Sequence, residues 1–302
     1  MAEMQTYRKK LQEDPYYLGN QGATNNVAWR KVGKEDMLVS AEAAAAHDAV
    51  ERAAATDANE DDTDANTDAD RGNLEPVGLT LVGTIAARDC WLMPCGFWKG
   101  STVFTPTFAD LKLNCRIVAP TDPPFASDFQ VALKNIETLA TKAETKGHDK
   151  VGVFDAKDKS KSSIKLRHVV FEEKEAGDVD DPHAFQLRDW PVKSAAAQES
   201  LDGMDDTHRV IPITAYDLDG DLIPPSAYVS ALMGAVVRAT FTMSHWNIAR
   251  DKRDTYAADI ESLRVVIPPP KIASGSSGSP RKRKATIAAR DLGASPEKKS
   301  RV

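Results

Sequence analysis

Cysteine is scarce, with three residues, at positions 90, 95 and 115, in a chain of 302. An odd number without closely spaced pairs excludes a disulfide framework and fits reduced thiols inside a cell. Cys90-x4-Cys95 with Cys115 offers three thiolates and no second Cys or His pair to complete a structural zinc site, so the three are expected as small core residues. Long apolar runs are also missing. No stretch approaches the roughly 20 residues of a membrane helix, and Met1-Ala2-Glu3-Met4-Gln5 lacks the charged-then-apolar order of a secretory signal. An intracellular protein with no membrane role is expected. Aromatic residues make up only 7%. The sequence has no nucleophile elbow, phosphate-cradling Gly-rich loop or paired-His metal motif, and His47, His148, His168, His183, His208 and His245 are scattered singly. A non-catalytic protein is expected, with no cofactor and no metal.

What the chain does have is segregated charge. From Lys271 to Val302 there are nine Lys/Arg against Asp291 and Glu297, a side-chain sum of +7; the chain as a whole is −6, which leaves −13 for residues 1–270. The tail's cations fall in two clusters, Arg281-Lys282-Arg283-Lys284 and Lys298-Lys299-Ser300-Arg301, in a Ser/Gly/Pro setting with few apolar residues. Thirteen residues separate them, near the spacing of a bipartite nuclear import signal, so an import receptor is an expected partner and the nucleus the expected location. General affinity for nucleic acid and simple solubilisation are the competing readings. Ser279-Pro280 and Ser295-Pro296 abut the clusters, where phosphate would offset their charge.

Between the ends, three textures follow one another. Residues 1–74 read as an extension: an aperiodic start, an alanine-dominated helix from Ser40 to Ala55 with Ser40 as N-cap, and seven acids between Asp57 and Asp70 in a segment too polar to offset chain entropy by burial. Residues 75–267 read as the folded domain, and 268–302 as a disordered basic tail. Within the domain, Gly78–Ile85, Thr102–Val118 with a break near Pro106, and Ile164–Glu172 are strand-like. Asp128–Lys146 is the one core helix, with Phe129, Leu133, Ile136, Ala140 and Ala143 at helical spacing, Asp128 as N-cap and Gly147 as terminator. Glu173–Asp206 reads as a long acidic connection with Phe185 and Trp190 as possible anchors. Asp-Gly between apolar runs predicts a hairpin over residues 209–223. Asp217-x-Asp219-Gly220-Asp221 is read as its turn and not as a calcium loop, since Ile223-Pro224-Pro225 stands where a bidentate Glu would be needed.

Ala235–Ile248 alternates along its whole length, with Ala235, Val237, Ala239, Phe241 and Met243 on one side and Arg238, Thr240, Thr242 and Ser244 on the other, and Thr255–Ile267 returns as its partner. Short strands with one inserted helix give a mainly β fold class, an OB-like Greek-key barrel with disordered N- and C-terminal extensions. Residues 209–267 resemble the end of an OB-fold single-stranded nucleic-acid-binding protein of the phage and mobile-element type. The likeness rests on Ile213–Gly220, Gly234–Phe241 and Tyr256–Val266: an acid-x-acid-Gly turn, then a small-residue entry into a long strand bearing an aromatic near its end. The chain is also similar to uncharacterised fungal proteins of like layout.

That resemblance implies binding of single-stranded DNA or RNA. Trp246, with His245 beside it, falls on the side of Arg238, Thr240, Thr242 and Ser244, where an exposed ring stacks unpaired bases; the alternative is a ring that plugs a barrel end. Arg250, Lys252 and Arg253 in the adjacent turn are candidate phosphate contacts, or an ordinary solvated tip. Lys157, Lys159, Lys161, Lys165 and Arg167 form a second basic cluster that either tracks a phosphate backbone or protects a sheet edge. A protein-interaction module on the same barrel is the alternative function.

Overall fold

The computed structural model describes residues 2–33, 35–57, 74–96, 98–102, 105–121, 123–154, 158, 160–175 and 185–270. The chain divides into Met1–Pro269 and Pro270–Val302, and every element named below belongs to the first unit. The basic clusters of the tail, the acids from 58 to 70, and Lys157 and Lys159 lie outside the described residues.

In chain order the elements are α1 (Ala2–Gln12), β1 (Val27–Val32), β2 (Glu35–Ser40), α2 (Ala41–Asp57), β3 (Leu79–Ile85), β4 (Lys112–Val118), α3 (Phe125–Lys142), β5 (Asp149–Val151), β6 (Ser163–Val169) and β7 (Phe171–Glu173). They continue with α4 (Ala195–Asp202), β8 (His208–Val210), β9 (Thr214–Tyr216), α5 (Tyr228–Leu232), β10 (Val236–Ile248) and β11 (Arg253–Ile267). Nine strands form one sheet in the order β1-β2-β10-β3-β4-β6-β11-β5, with β9 also on β11, and β7 pairs β8 separately. Because β10 pairs β11 as well as β3, the pairing runs β3-β4-β6-β11-β10 and returns to β3, so the sheet is barrel-like. The β6–β11 seam is parallel and rests on a single register pair, Arg167 opposite Asp259.

Alternation drives the long hairpin. Val237, Ala239, Phe241 and Met243 of β10 are completely buried, and each large one contributes on the order of 1.5–3 kcal/mol by leaving water. They share one buried cluster with Phe129, Ala132, Leu133, Ile136, Leu139 and Ala140 of α3. Where α3 crosses β3 the strand carries Gly83, at which a Cβ would stand 2.3 Å from Ile117 and 2.9 Å from the Phe129 ring. Trp29 Nε1 donates to the Leu139 carbonyl at 2.9 Å and the Tyr256 hydroxyl to the Ala140 carbonyl at 2.7 Å, which satisfies acceptors near the C-terminal end of α3.

Several expectations need correction. Residues 1–74 are not an extension ahead of the fold: α1, β1, β2 and α2 belong to the same unit as the barrel-like sheet, and β2 pairs β10. The helix read at Ser40–Ala55 is α2, and Ser40 Oγ accepts the Ala43 amide at 3.0 Å. A single core helix does not hold, since Leu11 of α1, Ala44 of α2, Ala197 and Leu201 of α4, and Tyr228 and Leu232 of α5 are also buried. α3 begins at Phe125, not Asp128, because Asp128 is turned inward at 3% exposure to take a bidentate ion pair from Arg8 and a hydrogen bond from Tyr17. In the described part of the 173–206 segment, Trp190 is an anchor as expected, 2% exposed, and its Nε1 donates to the Pro94 carbonyl at 2.9 Å. Of the run expected from Thr102 to Val118 with its break near Pro106, residues 112–118 form a strand among the described residues. The Asp217 carboxylate accepts the amides of Asp219, Gly220 and Asp221, each at 3.0 Å, as a self-closing turn.

Candidate nucleic-acid interface

Residues directly opposite in a β-ladder project to the same side of the sheet. Trp246 lies opposite Thr255, Ser244 opposite Ala257 and Thr242 opposite Asp259. Asp259 lies opposite Arg167, Arg167 opposite Asn114, and Asn114 is bridged to Trp91. One face therefore carries Trp246, Asp259, Arg167, Asn114 and Trp91 across five segments of chain. Lys165 and Lys112 flank that row on the same side, opposite Arg116 and Val169 respectively. Arg253, opposite Ile248, extends the face beyond Trp246.

The Arg167 guanidinium carbon stands 5.2 Å from the centre of the Trp246 ring, a cation–π contact. The same guanidinium makes two parallel hydrogen bonds to Asp259, at 2.7 and 2.9 Å. The Arg167 guanidinium is thus shared between the Trp246 ring and the Asp259 carboxylate. Partial desolvation, and after it the Arg167 charge, draw the Lys112 ammonium below the usual lysine range. Two cations crowded together on one face gain from an anion between them. The hairpin tip presents Arg250, Lys252 and Arg253, all exposed and without an ion pair among the described residues. Lys252 adopts φ 48°, which turns the chain back into β11.

The structure brings together Trp246, Arg167, Lys165 and Arg253 on this face, with Arg250 and Lys252 at its rim. Arg238 shares the face but sits eight residues from Trp246, about 26 Å along the strand, and is half-buried. Lys161 is elsewhere: its ammonium pairs with Glu137 and lies over the Phe154 ring. His245 is a correction. Its side chain points to the opposite side of β10 and is 4% exposed, between Asp36 at 3.1 Å and Asp254 at 3.3 Å and against Tyr256. Asp254 is fully buried; burial raises its pKa, but the Thr145 amide and hydroxyl and His245 outweigh that and hold it below the ordinary aspartate value.

Sequence reasoning missed Trp91, Lys112, Asn114 and Asp259. For β4 a signal existed: Lys112, Asn114 and Arg116 alternate with Leu113, Cys115 and Ile117. Of the cysteines, Cys115 is in the core and Cys90 and Cys95 pack against it, and burial pushes the Cys90 thiol up to about 11. Among the described residues the grouping of three side chains within metal-binding reach is His47, Asp48 and Glu51 on α2, where Asp48 already takes an ion pair from Arg30.

No family model and no curated protein matches the sequence. Among solved structures the chain is similar to gp2.5, a single-stranded DNA-binding protein encoded by bacteriophage T7, over 66% of this chain and 96% of that one, at 11% identity and a TM-score of 0.35.

Proposed function

We propose that this protein is a non-catalytic, single-stranded nucleic-acid-binding protein of the nucleus, built on an OB-like Greek-key barrel. The strand order β3-β4-β6-β11-β10 with a parallel β6–β11 seam supports the fold reading. The observation that carries the function is the Arg167–Trp246 cation–π pair, continuous with Arg253 on one sheet face. An indole and a guanidinium both present flat surfaces to an unstacked base, while Arg250, Lys252 and Arg253 supply phosphate partners at the rim. A duplex, whose bases are already stacked, gains from the cations alone. The tail, with Arg281, Lys282, Arg283, Lys284, Lys298, Lys299 and Arg301, is the proposed address for an import receptor.

The test is binding of a fluorescent single strand and of the matching duplex by a chain ending at Pro270, because the +7 tail would attract any polyanion. Trp246→Ala is expected to weaken single-strand binding with little change in salt slope. Neutralising Arg250, Lys252 and Arg253 is expected to flatten the slope by up to about 0.7 for each phosphate that no longer meets a cation. Equal affinity for both forms would dismiss the reading. A protein partner is the second reading, favoured by Leu218 and Leu222, 50% and 65% exposed beside the 217–221 turn.

A further inference from the structure

The sheet face does not end at Trp246. Trp91 and Asn114 exchange both backbone hydrogen bonds, at 2.7 and 3.2 Å, which fixes Trp91 on the side of Arg167, two strand spacings or about 10 Å away. Trp91 is 44% exposed. It walls a cleft of about 430 Å³ whose other sides are Pro106 and Leu111, the Asn114 amide, and the side chains of Lys112 and Lys165. Asp110 also borders the cleft, but its carboxylate is taken up by the Thr107 amide and hydroxyl at 3.0 and 2.7 Å. An exposed indole, an apolar wall, an amide and two lysines match the parts of a nucleotide: a flat base, polar base edges and a phosphate.

We propose that this cleft is a second nucleotide subsite, in which one unstacked base lies on Trp91 with Asn114 at its edge and its phosphate between Lys112 and Lys165. The inference rests on the single-strand function proposed for the Trp246 face and gives the strand a path, from the hairpin tip over Trp246 and Arg167 to Trp91. Lys112 and Lys165 stand on either side of Asn114 and Arg167 along β4 and β6, on the same side of the sheet, so a phosphate at the cleft has a cation on each side.

The experiment uses the full chain, so that the tail is common to every variant, and thymidine oligonucleotides of about 4 and about 12 residues, spanning the site sizes of such folds. Trp91→Ala is expected to weaken the longer strand by between about 5- and 150-fold, the range of one missing stack, and the shorter by less than about twofold, since it is held at Trp246 alone. Lys112→Gln, which leaves the indole in place, is expected to lower the salt slope on the longer strand by about 0.7. If Trp246→Ala weakens the longer strand while Trp91→Ala and Lys112→Gln leave it unchanged, the second subsite is wrong and the first stands. If the chain ending at Pro270 binds the single strand no better than the matching duplex, both are overturned.

Discussion

Replacing Arg8 by methionine keeps most of the apolar stem and removes the guanidinium that α1 delivers to the buried Asp128. That carboxylate is 3% exposed and accepts three hydrogen bonds, from Arg8 Nε at 2.7 Å, Arg8 Nη2 at 2.6 Å and the Tyr17 hydroxyl at 3.0 Å. Breaking a fully buried pair by deleting one partner costs about 3–5 kcal/mol. Here the Arg8 side chain is 29% exposed and Tyr17 still donates after the change, so about 2–3 kcal/mol is expected. Tyr17→Phe, which leaves the ion pair and removes one bond to a charged acceptor, is expected to cost about 1.5–2 kcal/mol. Burial, then the Asp128 charge, hold the Tyr17 hydroxyl far above the ordinary tyrosine range, so it remains a donor at any working pH. The double variant Arg8→Met/Asp128→Leu is expected to be more stable than Arg8→Met alone, because no charge is left stranded. Urea unfolding followed by tryptophan fluorescence measures the wild type and the three variants, and about 2–3 kcal/mol corresponds to a fall in Tm of roughly 5–10 °C for a body of this size. An Arg8→Met protein within about 0.5 kcal/mol of wild type would mean that the first twenty residues are a detachable arm after all.

Three further outcomes are expected. Asp259→Asn frees Arg167 from its bidentate lock, so single-strand affinity should rise at low salt and the salt slope steepen by about 0.7; weaker binding would show that Asp259 aims Arg167 instead of sequestering it. Since a depressed folded-state pKa stabilises above the unfolded value near 3.9 and is lost as pH falls through the folded one, Asp254→Asn should be less stable than wild type at pH 7 and converge with it in strong acid; a stability gap constant from pH 7 to about pH 2.5 would contradict this. A fluorescent fusion truncated after Pro270 should lose nuclear enrichment, and undiminished accumulation would remove the tail from that role.

The long hairpin was legible because its register is written locally: Val237, Ala239, Phe241 and Met243 alternate with Arg238, Thr240 and Thr242, and each buried residue confirms the next. The same parity placed Trp246 on the outer face. It failed for Ser244, which is buried because β2 adds a further strand there, with Ser244 opposite Met37 and His245 opposite Asp36. α2 was legible from its alanines and the Ser40 cap, but the placement of residues 2–40 was not, for a related reason. Besides the pairing of β2 with β10, they are held by side chains whose partners are more than 100 residues away, Arg8 on Asp128, Trp29 on Leu139 and Asn135 on Leu18, and no local period reports such contacts. α3 was found but begun late, since Asp128 suits an N-cap and nothing nearby in sequence announces that Arg8 and Tyr17 claim it. Trp91 was passed over because its exposure follows from a bridge to Asn114, not from any repeat of its own.

The β6–β11 seam joins the sheet through one register pair, and that pair is Arg167 with Asp259, the first of which lies over the Trp246 ring. A ligand phosphate that draws Arg167 away from Asp259 would therefore loosen the side-chain clasp at the sheet's weakest joint. Occupancy and sheet opening then become a single thermodynamic event, so the amide protons on both sides of this seam would act as a built-in gauge of binding, exchanging at a rate that tracks the strand and not only the stability of the body.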